Sequence, residues 1–91
     1  MTANTVWIEI GPERVAHALR HEAAEKVISG GDVALDFSRV ARIDAAAVQA
    51  LEELADTAGA KSLTVALRGV NRDIYKVLKL LRLTRKFSFI E

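Results

Sequence analysis

Two periods of apolar and polar residues take turns along the chain. Thr5–Ile10 alternates, with Val6, Ile8 and Ile10 on one side, and predicts a strand. Gly11-Pro12 breaks the alternation, and Pro12 or its neighbour can open a helix because the first turn needs no N–H there. Leu19, Ala23 and Val27 then recur every four residues up to Ile28, the spacing of a helix that Gly30-Gly31 ends. Val33–Phe37 predicts a second strand. Asp44 to about Ala58 predicts a helix with Val48, Leu51, Leu54, Ala55 and Ala58 on its buried stripe and Gly59 closing it. Ser62–Leu67 reads as a third strand, Asn71 to about Leu81 as a third helix buried through Ile74, Val77, Leu78 and Leu81, and Phe87–Ile90 as a short last strand.

Strands that alternate with helices argue for an α/β fold with a mostly parallel sheet and right-handed crossovers. The bulky alternate positions are Val6, Ile8 and Ile10; Val33, Leu35 and Phe37; Leu63, Val65 and Leu67; Phe87 and Phe89. The opposite positions hold Thr5, Trp7 and Glu9; Ala34 and Asp36; Thr64 and Ala66. The expectation is therefore a sheet of about four strands with about three helices packed chiefly on one face, the other face being partly open. At 91 residues, with no linker, repeat or low-complexity segment, the expected organisation is one domain over 1–91.

Composition narrows the function. About half of the chain is apolar and the two charge signs nearly cancel, to a net +1, which excludes a disordered chain. There is no cysteine, so neither a disulfide frame nor a thiolate metal site can form. No signal-peptide pattern stands at the start, and no stretch reaches the roughly 18 apolar residues of a membrane span. A cytoplasmic location is expected.

Function is most legible in the segment Asp36-Phe37-Ser38-Arg39-Val40-Ala41-Arg42-Ile43-Asp44-Ala45-Ala46-Ala47-Val48, which runs from strand through turn to helix start. Asp44 is placed as an N-cap, its carboxylate accepting from free helix N–H groups. The three alanines after it leave the first turn almost bare, so that a partner's backbone or a phosphate can come close to the helix end. Alanine as a plain helix former and aspartate as an ordinary cap account for the same residues.

The pattern Asp-Phe-Ser-x-Val-x-x-Ile-Asp, followed by small residues and a helix, resembles the core of STAS domains, found in sulfate transporters and anti-sigma factor antagonists. Leu67-Arg68-Gly69-Val70, the helix Asp73–Leu81, Leu83-Thr84 and Phe87-Ser88-Phe89-Ile90 follow in that family's order, so the resemblance covers roughly 33–90. It implies a non-catalytic module that docks on an anti-sigma factor with an ATP-binding kinase fold, through Ser38, Arg39, Arg42, Asp44, Ala45, Ala46, Ala47 and Val48. In the family the kinase phosphorylates a Ser or Thr just after the Asp that opens the second helix. A dianion there, beside a carboxylate, ends binding. Here that position is Ala45, which accepts no phosphate, and Ser38 in the preceding turn is no substitute for it. The alternatives that the resemblance admits are an accessory subunit docked on an ABC-type ATPase, or a nucleotide- or anion-sensing domain. Members usually begin with two strands. Only Thr5–Ile10 is clear here, leaving room for a short extra strand near Arg14–Ala16.

Other features are secondary. Arg68, Arg72, Lys76, Lys79, Arg82, Arg85 and Lys86 face only Asp73 within that stretch, forming either a solvated basic face or a dock for an acidic partner. Without interleaved aromatics, and at net +1, nucleic acid is not expected. His17, His21 and Glu25 stack at intervals of four but lack further ligands, so no metal and no cofactor are expected. Trp7 suits either an interface anchor or a cover for the sheet edge. No nucleophile elbow, phosphate loop or matched acid and base is present, so no enzymatic activity is expected. Direct membrane insertion is not expected, and a homodimer is compatible with the pattern.

Overall fold

The computed structural model describes residues 5–90. Its strands are β1 (Val6–Glu9), β2 (Val33–Asp36), β3 (Val65–Arg68) and β4 (Ser88–Ile90). Helix α1 runs through three consecutive stretches, Val15–Ala18, a π-helical turn Leu19–Ala23, and Ala24–Ile28. Helices α2 (Ala45–Ala60) and α3 (Arg72–Leu80) follow, and a 3-10 turn, Thr84–Lys86, leads into β4. Arg14 lies just before α1 and Val15 and Ala16 lie within it, so the extra strand near Arg14–Ala16 is not formed.

All four strands are parallel, in the order β1-β2-β3-β4. A right-handed crossover repeated in one direction returns every helix to the same side of the sheet. The covered face carries Ile8, Val33, Leu35, Val65, Leu67 and half-buried Phe89, which join Leu19, Ala23, Val27, Leu51, Leu54, Ile74 and Leu78 in one core. The opposite face carries the row Trp7, Ala34, Ala66 and Ser88, then Glu9, Asp36, Arg68 and Ile90. Trp7 on β1 and Arg68 on β3 meet across β2, with the guanidinium 5.6 Å from the ring centroid. Ala34, the register partner of Trp7 on β2, is fully buried. Trp7 is thus a cover for its own sheet and stays 53% exposed.

Each helix ends in the same motif. After α1, Gly30 is left-handed (φ 94°) and the N–H groups of Gly30 and Gly31 donate to Val27 and Lys26. After α2, Ser62 (φ 57°) donates to Gly59 at 3.1 Å and Leu63 to Ala58 at 2.8 Å. After α3, Arg82 (φ 61°) donates to Lys79 at 3.0 Å and Leu83 to Leu78 at 2.8 Å. These paired bonds occupy carbonyls that the helix leaves free. Gly59, expected to close α2, lies inside it, and the left-handed turn falls on Ser62 three residues on. Leu81 is half-exposed instead of buried, because the turn at Arg82 brings Leu83 into the core in its place. An L-residue is strained in the left-handed region, so Ser62→Gly and Arg82→Gly are each expected to raise stability by roughly 0.5–1 kcal/mol, net of glycine's extra unfolded-state entropy. Urea melts with an unchanged m-value check this.

Candidate functional site

The carboxyl end of β2 leads into a turn built on Phe37 and Asp36. Phe37 is fully buried, its N–H donating to the Arg68 carbonyl at 2.7 Å. Asp36 Oδ1 accepts both the Ser38 N–H at 2.9 Å and the Ser38 hydroxyl at 2.6 Å, closing an Asx turn. Val40, buried, donates back to Phe37 at 2.9 Å. Between these anchors Ser38 and Arg39 stand exposed, as do Ala41, Arg42 and Asp44 beyond Val40.

The hydroxyl bond from Ser38, then its N–H bond, and last the Arg68 guanidinium hold the Asp36 carboxyl below its ordinary value against some desolvation. A carboxylate favoured in the folded state adds stability above the ordinary carboxylate range, and that contribution is lost as pH falls through the lowered value. In Ser38→Ala the leading cause is gone. The Asp36 side-chain titration, followed by carboxyl carbon NMR, is expected to move up toward the ordinary range. An unmoved midpoint would show that the turn does not hold the carboxylate.

Asp44 caps α2 as its sequence position predicts, Oδ1 accepting the Ala47 N–H at 2.8 Å. Ala45 and Ala46 are exposed, so the first turn of a sixteen-residue helix is bare to solvent. Ala47 does not belong to that surface. It is 1% exposed and packs in the core, because the helix turns about 100° with each residue and brings Ala47 round to the face shared with Ala50 and Leu51. Val48 is half-buried. Arg39 faces Glu9 at 4.0 Å, both side chains more than half exposed, a pair worth little in water. Arg42 and Asp44 border a cavity of about 350 Å3 whose other side is formed by Arg14 and by the start of α1, including His17.

Two residues that the sequence reading did not single out hold this surface in place. Asn71 Oδ1 caps α3 by accepting the Ile74 N–H at 2.8 Å, while its Nδ2 donates to the Ala41 carbonyl at 2.8 Å and to Val40 at 3.4 Å. Gly69 (φ 72°) lies so close to Ser38 that a Cβ there would fall 2.8 Å from its Cα and its N. The N-cap position of Asn71 was open to inference from Asn-x-Asp-Ile ahead of an apolar stripe. The Gly69 contact had no local signal.

The other candidates separate from this site. The rings of His17 and His21 stack with centroids 4.3 Å apart. Among the described residues no group of three or more His, Cys, Asp and Glu is placed to hold a metal ion. Nor, among those residues, is any helix long and apolar enough to cross a membrane. Arg72, Lys76 and Lys79 are exposed along α3, while Lys86 pairs with Asp56 at 3.1 Å.

A one-faced parallel sheet with an exposed, side-chain-poor helix start beside a polar turn makes this a small α/β domain with its helices on one side. The family model described as Mlab, STAS domain matches residues 13–91, and the chain belongs to the STAS domain family. Solved structures share the fold. TM1081 of Thermotoga maritima, a candidate anti-sigma factor antagonist, superposes with a TM-score of 0.80 at 18% identity, over 100% of this chain and 82% of that one. The anti-sigma factor antagonist SpoIIAA in its unphosphorylated form gives 0.75 at 14% identity, over 100% and 83%. The phosphorylated form of the Bacillus cell fate determinant SpoIIAA gives 0.73 at 16%, over 100% and 86%. No curated protein is similar enough in sequence to count as a match.

Proposed function

We propose that the chain works as a single non-catalytic STAS module in the cytoplasm, docking on an anti-sigma factor with an ATP-binding kinase fold. The docking surface comprises Ser38, Arg39, Arg42, Asp44, Ala45, Ala46 and the exposed part of Val48. The observation that supports it is the bare first turn of α2, Ala45 and Ala46 open to solvent beside an exposed turn fixed by Asp36, Asn71 and Gly69. Small side chains let a partner's backbone come close, and a fixed turn loses little entropy on binding. The phosphorylation half of the antagonist cycle falls away, since Ala45 stands where the family carries the acceptor.

Affinity capture from the native cell, with the captured protein identified by mass spectrometry, tests this. Ala45→Glu and Ala46→Glu add charge at exposed positions in the first helical turn, where a carboxylate favours the helix, so folding is spared. Each is expected to weaken capture of the kinase by about tenfold or more, ~1.4 kcal/mol. Unchanged capture by both removes the surface. An ABC-type ATPase recovered through the same residues would keep the surface and replace the partner.

A further inference from the structure

The carboxyl ends of β3 and β4 and the first turn of α3 enclose a second concavity, an open groove of about 490 Å3. Its floor is apolar and aromatic. Tyr75, 43% exposed, packs edge-on against half-buried Phe89 with ring centroids 5.2 Å apart, and Ile90, 38% exposed, closes one side. Arg72 borders it, as does Arg68, whose guanidinium is turned over Trp7, and no acidic residue lines it. β4 is one of the two edge strands, so among the described residues no strand lies beyond it. Of the seven cations from Arg68 to Lys86, Lys86 alone makes an ion pair among the described residues. Lys76 and Lys79 carry the charge onward along α3.

An exposed aromatic floor under a cationic rim selects a particular occupant. We infer that this groove binds an extended acidic segment of a partner protein, with an apolar or aromatic side chain seated on Tyr75 and Phe89 and carboxylates facing Arg72 and the cations that follow it along α3. Aromatic floors of this kind carry binding energy, while rim charges set the encounter rate and the sign of the partner. An anionic lipid surface would meet the same cations but would leave the aromatic floor of Tyr75 and Phe89 without an occupant. The inference goes beyond the α2 docking surface and does not need it, although the two adjoin through Gly69 and Ser38.

The probe is a short fluorescein-labelled peptide alternating glutamate with leucine around a central phenylalanine, titrated into the full chain at low salt and read by anisotropy and by amide NMR shifts. Binding is expected with shifts centred on Tyr75 and Phe89, and no binding by the same peptide with lysine for glutamate. Arg72→Glu and Tyr75→Ala are each expected to weaken it about tenfold or more. Arg72→Glu keeps the fold because a carboxylate suits the first turn of α3. Ala46→Glu is expected to leave the peptide's affinity unchanged, which separates this groove from the α2 surface. Absence of peptide binding, equal binding by Arg72→Glu, shifts centred on Ala45 and Ala46, or cosedimentation with phosphatidylglycerol vesicles in place of peptide binding would each overturn the inference.

Discussion

Gly69→Ala is expected to lower stability by about 3 kcal/mol, from two sources acting together. The backbone there has φ 72°, where an L-residue is strained, and the new Cβ would stand 2.8 Å from the Cα and N of Ser38. Backbone cannot swing aside as a flexible side chain does, so β3's turn or β2's turn must move. The Ser38 turn carries the proposed docking surface, and partner capture is expected to fall along with the urea midpoint. Gly59→Ala is the matched control. It lies inside α2 with nothing within 4 Å of an added Cβ, and is expected to gain about 0.5–1 kcal/mol from helix propensity. Equal behaviour of the two variants would refute the close-contact argument.

Asn71 offers the second large effect, and two substitutions divide it. Asn71→Ala removes both the α3 cap and the strut to Ala41, at a combined cost of about 2 kcal/mol. Asn71→Asp keeps an oxygen for the Ile74 N–H but loses the amide that donates to Ala41 and Val40, so about half that loss is expected. Hydrogen exchange tells the roles apart. The Ile74 amide is expected to exchange faster in Asn71→Ala only, whereas amides of the Ser38–Asp44 turn speed up in both. A turn that stays protected in Asn71→Asp would mean that the strut contributes nothing.

The two predictions concern residues at the junction of β2 and β3, and that junction is where reading the chain by its periods stops. Alternation at Val6, Ile8, Val33, Leu35, Val65 and Leu67 named the covered face, because a residue's side of a strand depends only on its place in the local sequence. The cap at Asp44 was legible for the same reason, its acceptor and donor being three residues apart. Ala47 shows the limit on a helix: three adjacent alanines look alike in sequence, yet the third turns into the core.

The sequence alone, then, determined the elements, the face of the sheet the helices cover, the capped start of α2 and the lack of a phosphate acceptor at Ala45. The tertiary structure alone decided the strand order, the fully parallel pairing, the Asn71 bridge across thirty residues to Ala41, the approach of Gly69 to Ser38 and the left-handed turns at Ser62 and Arg82. Local periods encode which way a side chain faces. They carry no record of which distant backbone will lie against it, since that follows from how the sheet assembles and from the space left when its strands close together.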